Sequence, residues 1–185
     1  MQTWQMIAIG VAIVIIAAAV AWWLYERNRT KHLRDRFGPE YDRRITELGS
    51  RRRAELELTQ SEARAEKLKA RPINATDRTR FLEEWRLCQA RFVDDPAGAV
   101  DDADRIVTVI MQTRGYTVDD PYDRVVDVSA AYPNQASTFR EANDIVVRHH
   151  RGNASTEDLR KAFVNFRDLF DEMLRGGDEE LKRAS

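Results

Sequence analysis

Few side chains in this chain are able to do chemistry, and they are poorly grouped for it. Cys88 is the only cysteine, and His32, His149 and His150 are the only histidines. A catalytic thiol needs an electropositive setting that lowers its pKa. Cys88 instead falls on the stripe Phe81, Trp85, Cys88, Phe92, spaced i, i+4, i+7, i+11. That is an apolar helix face, and Cys88 reads there as an inert small hydrophobe. His149 and His150 are adjacent, so on a helix they point to different sides and do not chelate as an i,i+4 pair does. Asp101, Asp102 and Asp104, beside Asp94-Asp95, lack the spacing and glycine of an EF-hand and read as a solvated helix start. No phosphate-cradling loop of the G-x-x-x-x-G-K or G-x-G-x-x-G kind is present. Asn74-Ala75-Thr76 and Asn153-Ala154-Ser155 match the glycosylation pattern, but both sit where helix caps are needed. The residues therefore assign no catalytic, cofactor or metal role. An enzyme with an unrecognised site is the minor alternative.

What the chain does carry is an address. The first 25 residues have no charged side chain, and Arg27, Arg29, Lys31, Arg34 and Arg36 follow directly. From Met6 to Leu24 the run is apolar with no proline. At 1.5 Å per residue it makes a helix of roughly 28 Å, close to the ~30 Å hydrocarbon layer. Trp4 lies at one end and Trp22, Trp23 and Tyr25 at the other, two sets of amphipathic rings placed as interfacial anchors. Basic residues flank only the C-terminal side, which predicts the N-terminus outside and the rest cytoplasmic. The same basic run is placed to meet anionic lipid headgroups. Ala19-Val20-Ala21 resembles a signal-peptide cleavage site, and an exported, envelope-facing helical domain is the alternative. Against it, Met1–Gln5 has no basic side chain and the apolar run exceeds the usual h-region.

The elements beyond the anchor are read from punctuation. Gly38-Pro39 stops the juxtamembrane helix. Residues 40–71 then predict one long charged helix, rich in Glu, Arg, Leu, Lys and Ala, with Glu40/Arg44 and Glu47/Arg51 in the favourable i,i+4 order. Its thin apolar seam, interrupted at Arg52, argues for a solvated helix rather than a sustained coiled coil; a weak coiled-coil stalk is the alternative. Residues 72–176 predict a helical bundle. Thr76 or Asp77 starts its first helix. Asp95-Pro96 and Asp120-Pro121 start the next two, and Ser155-Thr156-Glu157-Asp158 starts the last. Apolar stripes follow each start: Val100, Ala103, Ile106 or Val107, and Ile110; Tyr122, Val125, Val126 and Val128; Phe139, Ala142 and Val146, with Ile145 beside them; then Leu159, Ala162, Phe163, Phe166, Phe170, Met173 and Leu174. Gly176-Gly177 is expected to end the last helix, with residues 177–185 a flexible tail. Net charge grades from +3 over residues 26–36 to +1 over 37–70 and −5 over 71–185. A basic membrane-proximal end suits a tether, and the acidic remainder argues against a nucleic-acid-binding distal domain, so no nucleic-acid partner is expected.

Two strings carry a resemblance: Arg36-Phe37-Gly38-Pro39-Glu40-Tyr41-Asp42-Arg43, and Ala90-Arg91-Phe92-Val93-Asp94-Asp95-Pro96-Ala97-Gly98-Ala99-Val100 with Trp85 ahead of it. They resemble those of a family of uncharacterised bacterial single-span membrane proteins with a C-terminal helical domain. The resemblance covers most of the chain beyond the anchor and implies no activity. The expectation is thus an all-α protein: a transmembrane anchor over 1–25, a basic juxtamembrane segment over 26–39, a charged helix and a small bundle. Its expected partners are the bilayer through residues 4–25, an unidentified protein, and at most a weak homodimer through Ala8/Ala12 and Ala17/Ala21. No cofactor is expected.

Overall fold

A computed structural model of the chain describes the backbone of residues 2–69, 71, 73–116, 118 and 120–184, and the side chains of residues 14–68, 71, 73–116, 118 and 120–175. The described residues form helices joined by short turns, with no strand. The all-α expectation holds. The chain divides into two compact units, Met1–Glu55 and Leu56–Ser185.

The first unit contains α1 (Gln2–Phe37), α2 (Pro39–Leu48) and the opening of α3 (Arg51–Lys69). Gly38 breaks α1 at φ +56°, a backbone conformation that L side chains resist, and Pro39 starts α2 at N1. Residues 40–71 are not one helix. Gly49 takes the left-handed conformation (φ +61°) and caps α2, and α3 starts afresh at Arg51. A single glycine in a run of good helix formers costs only ~1 kcal/mol if kept helical, so here tertiary packing decides. The break also changes the pairing: Glu47 binds Arg43 at 3.0 Å and Arg44 at 3.3 Å, while Arg51 binds Glu55 at 2.9 Å. The Glu47/Arg51 pair expected of a continuous helix is replaced.

The second unit packs α4 (Ala75–Arg91), α5 (Pro96–Arg114), α6 (Pro121–Ala131), α7 (Ala136–His150) and α8 (Thr156–Ala184). α8 lies against α7 and α5, α4 against α5, and α6 against α7. The stripes named from the spacing are buried, except that Phe92 and Tyr122 at their ends are half-buried. Asp95 and Asp120 cap α5 and α6, accepting from Gly98 N at 2.9 Å and Tyr122 N at 2.6 Å. Ser155 and Asp158 exchange hydrogen bonds at the start of α8, a reciprocal box that satisfies two orphan amides. The cap of α4 is Asn74, which accepts from Asp77 N at 2.8 Å, rather than Thr76 or Asp77. From Arg124 to Ala131, α6 is buried on all sides, and its buried charges are paired, Arg124 with Asp104 and Asp127 with Arg64. Trp85 stacks on Phe170 (4.4 Å between centroids) and Phe163 (5.3 Å), joining α4 to α8.

The backbone of α8 continues through Gly176-Gly177 to Ala184 instead of stopping at the glycines. The residues after them (Glu179, Glu180, Leu181, Lys182) are strong helix formers that offset the glycine cost. The expected flexible tail, residues 177–185, falls in this stretch, whose side chains lie outside the described residues.

Candidate functional site

The residues of α1 divide by exposure. From Val14 to Tyr25 every side chain is exposed, whichever side of the helix it occupies. Trp22 is 70 %, Trp23 55 % and Tyr25 66 % exposed. From Glu26 the helix becomes amphipathic: Leu33 and Phe37 are buried on the face that also carries half-buried Thr30. The change falls at the boundary between the apolar run and the basic run. Among the described residues no helix is long and apolar enough to cross a membrane. Residues 14–24 of the expected span lie among the described side chains. Residues 6–13 and Trp4 lie outside them.

The remaining interfacial candidates have distinct settings. The Arg27 guanidinium lies 5.4 Å from the centre of the Trp23 ring, a cation–π contact. Arg34 binds Asp42 of α2 at 3.1 Å. Lys31 is exposed, and Arg36 is half-buried. Arg29 lines a cleft of about 570 Å³ together with Trp22, Tyr25 and Glu26 from α1 and Arg51, Arg52 and Glu55 from the first turn of α3. Trp22, Tyr25, Glu26 and Arg29 are spaced i, i+3, i+4, i+7, one stripe of the helix. The Gly49–Ser50 turn returns the chain so that Arg51 and Arg52 reach the same cleft.

Glu55 forms the polar floor. It is 3 % exposed, and its Oε1 accepts from Tyr41 Oη at 2.7 Å, Thr30 Oγ1 at 2.8 Å and Arg51 Nε at 2.9 Å. Burial pushes its carboxyl upward, but the donors from Tyr41, Arg51 and Thr30 outweigh that and hold it below the usual carboxylate range. Burial, and then Glu55 itself, raise the Tyr41 phenol. Glu55 is thus a fixed anion that locks α1, α2 and the start of α3. Sequence reasoning missed Thr30, Tyr41, Arg51, Arg52 and Glu55 as a group because up to 25 residues separate them. The available signal was Gly49 ahead of three consecutive arginines.

In the second unit, the groups weighed for chemistry are engaged structurally. Cys88 is buried, donates to Ala99 O at 3.1 Å, and is pushed up to about 12 by burial and by nearby Asp102. A thiol held that high is a poor nucleophile. The acidic patch is dispersed over partners: Arg91 binds Asp95 at 2.6 Å and Asp102 at 2.7 Å, Arg124 binds Asp104, and His150 meets Asp101 at 3.1 Å. His149 and His150 do not diverge fully; His149 Nε2 also comes within 4.0 Å of Asp101. No group of three or more His, Cys, Asp or Glu side chains among the described residues is placed to hold a metal ion. One ionisable group stands out by burial. Asp127 of α6 is 1 % exposed and pairs with Arg64 of α3 at 2.9 Å. Burial raises its carboxyl, and Arg64 only partly offsets this.

Compared with known proteins, the chain matches no family model, no curated protein and no solved structure.

Proposed function

We propose that this protein is a single-pass membrane-anchored helical interaction or scaffolding module, with α1 in the bilayer and the helices from α2 onward on the cytoplasmic face. The observation that carries the reading is the exposed stretch Val14–Tyr25. Water-facing proteins rarely leave a contiguous apolar patch larger than roughly a few hundred Å², and here apolar side chains face outward all round a helix. A hydrocarbon surround removes that cost. The aromatic rings of Trp22, Trp23 and Tyr25 close the stretch, and Arg27, Arg29 and Lys31 follow within two turns, the order a membrane interface selects. The positive flank on that side favours retention of the C-terminal region in the cytoplasm. The helical second unit then presents its surface to a protein partner, and homodimerisation through the anchor is at most weak.

The test is a flotation assay on the full chain with phosphatidylcholine vesicles, followed by an alkaline carbonate wash. The protein should float and resist extraction. Fused at the C-terminus, green fluorescent protein should fluoresce, and an export-dependent phosphatase should stay inactive. Carbonate extraction, or an active phosphatase, would overturn the anchor or its direction respectively.

A further inference from the structure

We propose that α8 carries a built-in stop: Arg78 and Arg114 cap the packed part of the helix at Met173 and Leu174, so that residues 176–184 unwind and rewind while the second unit stays folded. Arg114, in the last turn of α5, donates from Nη2 to Met173 O at 2.6 Å. Arg78, in the first turn of α4, donates from Nη1 to Leu174 O at 2.7 Å. Two successive carbonyls of α8 are thus reached from two other helices, 59 and 96 residues away in sequence. Arg114 is buried and Arg78 is half-buried. Cations on carbonyls are the arrangement of a helix C-terminus, where the last carbonyls lack amide donors and the dipole is negative. The backbone of α8 nevertheless runs on to Ala184. The arginines mark an electrostatic end well before the geometric one.

The choice of carbonyls carries the argument. In an α-helix each carbonyl accepts from the amide four residues on. Opening the helix from Gly176 onward therefore orphans the carbonyls of Glu172, Met173, Leu174 and Arg175. Met173 and Leu174 are buried, Glu172 is half-buried and Arg175 is exposed. The two carbonyls of buried residues are the two that the arginines hold, and the other two belong to residues that reach water. An unsatisfied carbonyl in the interior is the cost that ordinarily resists such opening, and here the arginines remove it. Gly176 and Gly177 stand at the boundary. Glycine loses the most backbone freedom in a helix and, proline aside, holds one least well. Helix opening is cheapest at the point where the bundle is already capped.

The experiment follows amide hydrogen exchange by mass spectrometry on the full chain in detergent micelles. Amides of residues 178–184 should exchange at the open-chain rate, and those of 163–174 at least about a thousandfold more slowly. Asp178→Pro removes the amide donor to Leu174 O, and the protection of 163–174 should not change. Arg78→Met removes the other donor to that carbonyl; Arg78 is the half-buried member of the pair, so its replacement leaves the interior closed. Adding Asp178→Pro to Arg78→Met should speed exchange over 163–174 about tenfold beyond Arg78→Met alone. Slow exchange continuing through 178–184 in the wild type would overturn the stop, as would loosening of 163–174 by Asp178→Pro alone. An equal effect of Asp178→Pro with and without Arg78 would overturn the part assigned to the arginines.

Discussion

At Trp85 one side chain joins two helices. Its ring stacks on Phe163 and Phe170, and Phe92 packs on Phe163 at 4.6 Å. Truncating a buried aromatic typically costs about 3–5 kcal/mol, against a total stability of about 5–15 kcal/mol for a domain of this size. Trp85→Ala should therefore bring the second unit close to unfolding in a thermal melt. Cys88→Ala, which removes one sulfur from the same face, should cost much less; a neutral Trp85→Ala would show that the stack carries no load. Asp127 makes a prediction of a different kind. Its folded carboxyl is raised above the usual carboxylate range, first by burial, so between the unfolded and folded values the native state holds the extra proton. Stability attached to this group is full below the unfolded value and is lost as pH rises through the folded one. Urea unfolding of Asp127→Asn and wild type from pH 3 to 8 should give a difference that moves in favour of the variant as pH rises. A pH-independent difference would show an ordinary carboxyl.

Helix starts were readable wherever one residue does the work locally. An Asp before Pro has the acceptor for the second and third amides, and Pro has no amide to lose. So Asp95 and Asp120 cap the helices assigned to them. Asp120→Ala should lower the stability of the second unit by about 1 kcal/mol, while Asp120→Ser should recover most of it; a shift in urea midpoint reads both. The apolar stripes of α4 to α8 were legible for the same reason, because 3.6-residue periodicity is a property of consecutive residues. What escaped was decided by distant contacts. Gly49 reads as a tolerated helical glycine, and its left-handed conformation accompanies distant contacts that bury Tyr41 and Glu55. The cleft inherits that opacity, since Arg51 and Arg52 reach Arg29 only through that turn. Gly176-Gly177 shows the converse: a stop signal that strong helix formers on either side override.

On the scale of the molecule, α3 is shared. Its first residues belong to the unit with α1 and α2, and the rest belongs with α4 to α8. Within the second unit this part of α3 does more than space the bundle from the anchor. Leu58 and Ala65 are buried, Arg64 is the partner of Asp127, and Tyr116 Oη donates to Ala65 O at 3.2 Å. Ile73, in the segment that leads into α4, is buried as well. A fragment beginning at Asp77 loses all of these. It leaves the Asp127 carboxylate in the interior without a cation and the Tyr116 hydroxyl without an acceptor, each costing about 1–3 kcal/mol. Residues 77–185 should therefore unfold at markedly lower urea than residues 56–185, and raising the pH from 4 to 8 should widen the gap as Asp127 ionises without Arg64. Both fragments should sediment as monomers, since the dimer contacts suggested by the small residues lie in α1. Equal urea midpoints would mean that α3 contributes nothing to the second unit, and a tight dimer of residues 56–185 would place a self-association surface on the bundle itself.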